Sequence, residues 1–307
     1  MSRLRQSLAD YLTLRRALGY RLERPEKLLG QFISYLEGVG AETVTIERAL
    51  AWACLPSDGN ANWWAHRLSV VRVFAAYLHT VDPAAEVPPP DLLPWRPCRA
   101  QPYIYSDDEV TALMAAAAMF PSPLRVATYQ TLIGLLACTG IRVGEAIRLD
   151  RDDFDPGGGL LTVRFGKFGK TRELPLHRTA VAAIDRYRRQ RDRHQPPATS
   201  PALFISPAGT RLLYCNVHAT FRQLRTRAEL APGSGPCRPR IHDLRHSFAV
   251  RTLLEAYRDG HDVQHRLALL STYLGHVNPG ATYWYLSAVP ELMSLAAQRL
   301  EQQQSRP

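Results

Sequence analysis

Leu160-Leu161-Thr162-Val163-Arg164-Phe165-Gly166-Lys167-Phe168-Gly169-Lys170-Thr171-Arg172-Glu173-Leu174-Pro175-Leu176 is the stretch where the sequence changes period. Apolar positions at its two ends alternate with polar ones around a glycine- and lysine-containing centre, which predicts two strands joined by a hairpin. On both sides the spacing is helical. Upstream, Ser106-Asp107-Asp108-Glu109 reads as a capping box opening a helix to about residue 118. A second helix is expected over 123–138, stopping at Thr139-Gly140, and a third begins near Arg142. Downstream, helical patterns fall at about 178–193, 214–230, 243–256, 262–274, 281–287 and 290–303. The segment is therefore expected to be mainly α with a small β-sheet.

A break in composition precedes it. Seven prolines lie between Pro83 and Pro102, which excludes a regular helix and favours an extended, semi-rigid linker. Before that linker, helical spacing recurs over about 4–18, 25–38, 45–55 and 61–79, with Thr45 as an N-cap. The expected organisation is a helical domain over 1–82, a linker over 83–102 and a second domain over 103–307. The total of 307 residues is ample for two cores.

With 38 Lys+Arg against 28 Asp+Glu, the chain carries a net charge of +10. Residues 1–100 hold 12 cations and 10 anions, whereas residues 101–307 hold 26 and 18, so the excess belongs mostly to the second segment. A basic surface of this kind suits nucleic acid. Only Lys27, Lys167 and Lys170 are lysines, and two of them sit in the hairpin. The five cysteines are an odd number, widely spaced and without a C-x-x-C pair, so neither a disulfide framework nor a cysteine zinc site is indicated. No secretory signal or membrane-spanning run is expected, which places the protein in the cytoplasm.

Five constellations in the second segment carry possible chemistry. Thr139-Gly140-Ile141-Arg142-Val143-Gly144-Glu145 puts a glycine turn before a helix, with backbone amides near Arg142 that could receive an anion and Glu145 on the same helical face to orient the guanidinium. Gly166-Lys167-Phe168-Gly169-Lys170-Thr171 lacks the first glycine of a phosphate-binding loop and is flanked by strands, so it is read as a hairpin projecting lysines. His242-Asp243-Leu244-Arg245-His246 resembles a zinc-protease helix, but has aspartate where that motif requires glutamate; the competing reading pairs His242 with Arg245 on one substrate. Leu274-Gly275-His276 and Thr282-Tyr283-Trp284-Tyr285 complete the set. Together they supply two arginines, a lysine, two histidines and a tyrosine, a set suited to metal-free chemistry on a phosphodiester. In the first domain, Arg67 and Arg72 are candidates for phosphate contact, beside His66, Trp63 and Trp64; a core helix with a solvated basic face is an equally good reading.

The order and spacing of these five motifs resemble the tyrosine recombinase (phage-integrase) family across 103–307, and the helical segment is similar to that family's core-binding domain. The resemblance implies a two-domain, C-shaped clamp on duplex DNA. It implies Arg142 and Arg245 as phosphate-binding arginines, Lys167 as general acid, His242 assisting proton transfer, His276 on the phosphate, Glu145 orienting Arg142, and Tyr285 as nucleophile forming a 3′-phosphotyrosine. No cofactor is implied, since the phosphotyrosine retains the free energy for rejoining. The implied partners are double-stranded recombination sites and other protomers in a tetramer or partner recombinases. Tyr283 competes with Tyr285, and Lys170 competes with Lys167. The apolar stripe Leu292, Leu295, Ala296 and Leu300 suits docking on a neighbouring protomer or on its own domain. Two other functions remain open on the residues: a DNA-binding relative without cleavage activity, and a zinc hydrolase using His242 and His246.

Overall fold

The computed structural model describes residues 2–55, 58–96, 101–164, 171–193, 199–230, 238–259, 262–275, 280, 292–295 and 297. The chain divides into two compact units, Met1–Arg99 and Ala100–Pro307. No helix among the described residues is long and apolar enough to cross a membrane.

The first unit contains α1 (Arg3–Ala17), α2 (Glu23–Gly38), α3 (Ile46–Cys54) and α4 (Ala61–Val81). Ser2, Thr45 and Asn60 each accept a first-turn amide with a side-chain oxygen, which sets where α1, α3 and α4 begin. Leu29, Phe32, Ile33, Leu36, Leu68, Val71 and Phe74 lose all exposure in a shared core, following the helical spacing of the sequence.

Arg67 corrects one expectation. Its guanidinium lies 3.7 Å from the centre of the Trp52 ring, and Nη2 donates to the Trp52 carbonyl at 2.7 Å. That carbonyl belongs to the last turn of α3 and also accepts the Leu55 amide at 3.3 Å. Arg67 is only 7% exposed, burial lowers its pKa, and its described contacts hold α3 to α4. Arg72 is half-buried and donates through Nε to the Pro88 carbonyl at 2.8 Å and through Nη2 to the Pro89 carbonyl at 2.7 Å.

The proline-rich segment thus begins as a strap on this unit. Ala85 is buried in the helical core, the Glu86 amide donates to the Val44 carbonyl, and the Glu86 carboxylate accepts the Ile46 amide. Further along, the Asn62 side chain exchanges two hydrogen bonds with the backbone of Arg96.

The second unit contains α5 (Asp107–Ala116), α6 (Pro123–Thr139), α7 (Val143–Arg148), β1 (Phe154–Asp155), β2 (Leu160–Val163), β3 (Arg172–Pro175), α8 (Arg178–Asp192), α9 (Tyr214–Arg227), α10 (Asp243–Arg258) and α11 (Val263–Leu274). The expected capping box is present: Ser106 Oγ accepts the Glu109 amide, and Glu109 accepts the Ser106 amide. Helix α6 packs against α5, α8 and α10, which explains why its sequence is apolar nearly all round. The sheet is antiparallel in the order β1-β2-β3, with Leu161 opposite Leu174 and Val163 opposite Arg172. Leu161, Val163 and Leu174 face the core. Strand β1 was not expected, because two residues are too few to register as alternation. The patterns at 281–287 and 290–303 lie largely outside the described residues. Leu292, however, is buried with Val250, Leu253, Leu267 and Leu270 of α10 and α11 on its own chain.

Replacing Arg67 with alanine removes a charged hydrogen bond and a ring contact from the first unit. Stability should fall by about 2–3 kcal/mol in urea unfolding followed by tryptophan fluorescence. The slope of DNA affinity against salt should stay unchanged, whereas loss of a phosphate contact would lower it by roughly one.

Candidate active site

Helix α6 ends at Gly140, which adopts φ +60° and returns its amide to the Leu136 carbonyl. A Cβ at this position would come within 2.7 Å of the Phe248 ring and 3.0 Å of Leu274, so the turn requires glycine both for its backbone and for close approach. The chain then enters α7 through Arg142. Glu145 sits three residues on and fastens this corner twice: Oε2 accepts the Arg142 amide at 3.2 Å, and Oε1 accepts Arg142 Nη1 at 2.7 Å. The expected open amide at Arg142 is therefore already satisfied by a carboxylate, and what this corner still offers an anion is the partly exposed guanidinium.

The Glu145 side chain is only 1% exposed and has a second cation, Arg172 on β3. Arg172 Nη2 donates to Oε2 at 2.8 Å and Nη1 to Oε1 at 3.3 Å. Burial would push the Glu145 carboxyl up, but the hydrogen bonds and charge of Arg172, together with those of Arg142, overcome it and hold the pKa at about 2. The sequence reading missed Arg172. A signal was available in the strand period, which puts residue 172 on the same side as Leu174, so β3 points a cation toward the core side of the sheet.

Arg245 enters from α10 and is 3% exposed. Nη1 donates to the Gly140 carbonyl and Nη2 to the Leu274 carbonyl, both at 2.7 Å. The preceding Asp243 is fully buried and gives its carboxylate to the amide, Nε and Nη2 of Arg240. His242, the residue that precedes α10 at its N-terminal end, is exposed. Surrounding protein and the positive charge of Arg245 push its pKa below the ordinary 6.5; Asp243 pulls the other way, and Arg142 and Arg240 add to the depression. The result is a neutral imidazole at pH 7, able to accept a proton.

Arg142, Glu145, His242 and Arg245, scattered over a hundred residues, are thus brought to one place. They meet at the end of α11. Gly275 caps that helix with φ +68°, its carbonyl accepts Arg142 Nη2 at 3.3 Å, and the next residue in the chain is His276. His276, Tyr283, Tyr285, Lys167 and Lys170 lie outside the described residues, although β2 and β3, from which the lysine hairpin springs, reach the site through Arg172. His242 and His246 are edge-on with ring centres 5.0 Å apart, and the intervening carboxylate of Asp243 is committed to Arg240. Among the described residues no group of three His, Cys, Asp or Glu side chains is placed to hold a metal ion.

Comparison with known proteins follows the same lines. The phage integrase family matches residues 104–291. A Sinorhizobium fredii protein named as an integrase/recombinase, y4rB, is 42% identical over 307 residues, covering 98% of both chains. Tyrosine recombinase XerC of Alcanivorax borkumensis is 31% identical over 80% of this chain and 75% of its own. A lambda integrase tetramer bound to a Holliday junction shares the fold, with a TM-score of 0.57 at 18% identity over 92% of this chain and 76% of that one. The family match alone spans more than half the sequence, and it covers every element that builds the arginine site: the chain belongs to the phage integrase family and is a tyrosine-type site-specific DNA recombinase.

Proposed function

We propose that Tyr285 attacks a DNA phosphodiester whose non-bridging oxygens are bound by Arg142 and Arg245. The attack forms a 3′-phosphotyrosine and releases a 5′-hydroxyl, with Lys167 protonating the leaving oxygen, His242 taking part in proton transfer and His276 hydrogen-bonding the phosphate. The reading is carried by one observation: Arg142, fixed by Glu145, and Arg245, fixed by Gly140 and Leu274, converge on the end of α11 just before His276, and both bear electrostatically on His242. Guanidinium forks held rigidly before the substrate arrives stabilise developing charge without reorganising.

Lysine is reserved for the acid because arginine holds its proton too tightly to give it up. The phosphotyrosine conserves the energy of the broken bond, so rejoining to a different strand needs no cofactor. With Arg67 assigned to packing, the first unit contacts DNA through other residues, and most of the phosphate grip falls to the basic second unit. The substrate is double-stranded recombination sites, handled in the cytoplasm by a tetramer, with the movement of a mobile element as the biological task. The tetrameric lambda integrase supports the assembly, and the integrase/recombinase name of the Sinorhizobium relative supports the task.

The test is a nicked duplex carrying the junction sequence that flanks the encoding gene. The wild-type chain should form a covalent adduct that survives EDTA. Tyr285→Phe should abolish it, and Arg142→Ala should slow it by about 10²–10³-fold. An adduct persisting in Tyr285→Phe, or dependent on added metal, would sink the assignment. Because the His242 pKa is depressed, the rate should hold at neutral pH and fall only as pH drops through a value below 6.5, an acid limb that His242→Gln removes.

A further inference from the structure

Arg172 meets Glu145 from β3 while Arg142 meets it from the start of α7, and four features of its surroundings bear on catalysis. It grips both oxygens of Glu145. Its Nε donates to the Tyr273 carbonyl at 2.9 Å, two residues before Gly275. A Cβ on Gly275 would stand 3.0 Å from Arg172 Nη1, 3.2 Å from Cζ and 3.3 Å from Nε, so the glycine before His276 leaves room for this guanidinium. Finally, Arg172 is the first residue of β3, the strand that leaves the lysine hairpin, paired directly across from Val163.

We propose that Arg172 is a positioning residue of the recombination reaction, acting through Glu145 to set Arg142 and locking β3 to the end of α11 at Tyr273 and Gly275. The proposal rests on the reading of Arg142 as a phosphate ligand and extends it to a residue that acts through Glu145.

Two physical arguments favour this over a simple fold-holding ion pair. The first is charge. A buried Glu145 paired with Arg142 alone would cancel the charge that Arg142 is needed to present. With Arg172 sharing the carboxylate, the group formed by Arg142, Arg172, Arg245 and Glu145 keeps a net charge of +2 for a phosphate that becomes more negative as it reacts. The second is geometry. Arg142 is the more exposed partner, with a quarter of its side chain accessible against 14% for Arg172, and its guanidinium reaches Glu145 with one nitrogen; Arg172 brings a planar fork to both carboxylate oxygens. A carboxylate free to rotate would let Arg142 drift, and a displacement of about 1 Å at a catalytic group costs on the order of 100-fold in rate.

The experiment measures adduct formation on the nicked duplex, DNA affinity, thermal unfolding and pH dependence for Arg172→Ala, Arg172→Lys, Glu145→Gln and the double variant Glu145→Gln/Arg172→Ala. Arg172→Ala should slow adduct formation by about 100-fold with little change in DNA affinity. Guanidinium ion added to Arg172→Ala should restore part of the rate. Without Arg172, burial pushes the Glu145 carboxyl up, so a new acid limb should appear that the wild type, with Glu145 held at about 2, does not show. The double variant should be little slower than the worse single one, because both act through one carboxylate. Should Arg172→Ala not fold, Arg172→Lys decides: it keeps the charge but loses the fork, and should fold while cleaving at an intermediate rate.

A wild-type rate in either Arg172 variant would overturn the proposal. So would slowing that is additive with Glu145→Gln, without guanidinium rescue and with the wild-type pH profile, since a merely structural pair behaves that way. Failure of the underlying reading looks different, because the wild type itself then forms no Tyr285-dependent adduct; that result overturns both.

Discussion

A single buried carboxylate organises the second unit. Glu145 caps the short helix α7, holds Arg142 and receives Arg172, so one side chain closes the corner after α6, points a cation at the site and ties in the sheet. Burying an ion is costly unless it is paired and hydrogen-bonded, and here both oxygens find guanidinium partners. The low pKa that follows keeps the carboxylate ionised across the whole range in which DNA is handled. The His242 imidazole, whose pKa is lowered by burial and by Arg245, is a group beside this clamp that can respond to pH.

Around this anion the arginines divide into two kinds. Arg245 is buried and spends donors on the Gly140 and Leu274 carbonyls, satisfying the ends of α6 and α11 that meet there. Arg142 keeps a quarter of its side chain accessible. The glycines at 140 and 275 belong to the same design: each terminates a helix in the left-handed region, and each leaves the space of a missing Cβ to a neighbour, Phe248 in one case and Arg172 in the other. A backbone carbonyl freed at a helix end becomes an acceptor for an arginine of the site.

Much of this was legible in the sequence, for identifiable reasons. Helices with strong periodicity and side-chain caps, such as those begun by Thr45 and Ser106, were found nearly to the residue, because period and capping are local properties. Arg142 and Glu145 were likewise legible, being three apart on one helix. The role of Arg67 was not, since nothing in the spacing of 61–79 tells that Trp52, fifteen residues earlier, supplies both a ring and a carbonyl. Arg172 escaped for the same reason: its partners lie 27 and 101 residues away in the chain. Local pattern locates elements and motifs; it does not reveal which charged side chain turns inward to serve a distant one.

The strap after α4 has a consequence for how such proteins are recombined with one another. Its carbonyls serve Arg72 and His79, Ala85 fills the helical core, Glu86 joins the entry to α3, and Arg96 pairs with Asn62. The natural seam of the first module therefore lies beyond Arg96, well past the last helical residue, Val81. A chimera spliced at the helix end would strand a buried alanine and several polar groups on the wrong parent, whereas one spliced after the strap would carry the module away whole. Exchange of the first module among relatives, in the laboratory or in evolution, is easiest where the proline-rich segment has finished its work on the helices.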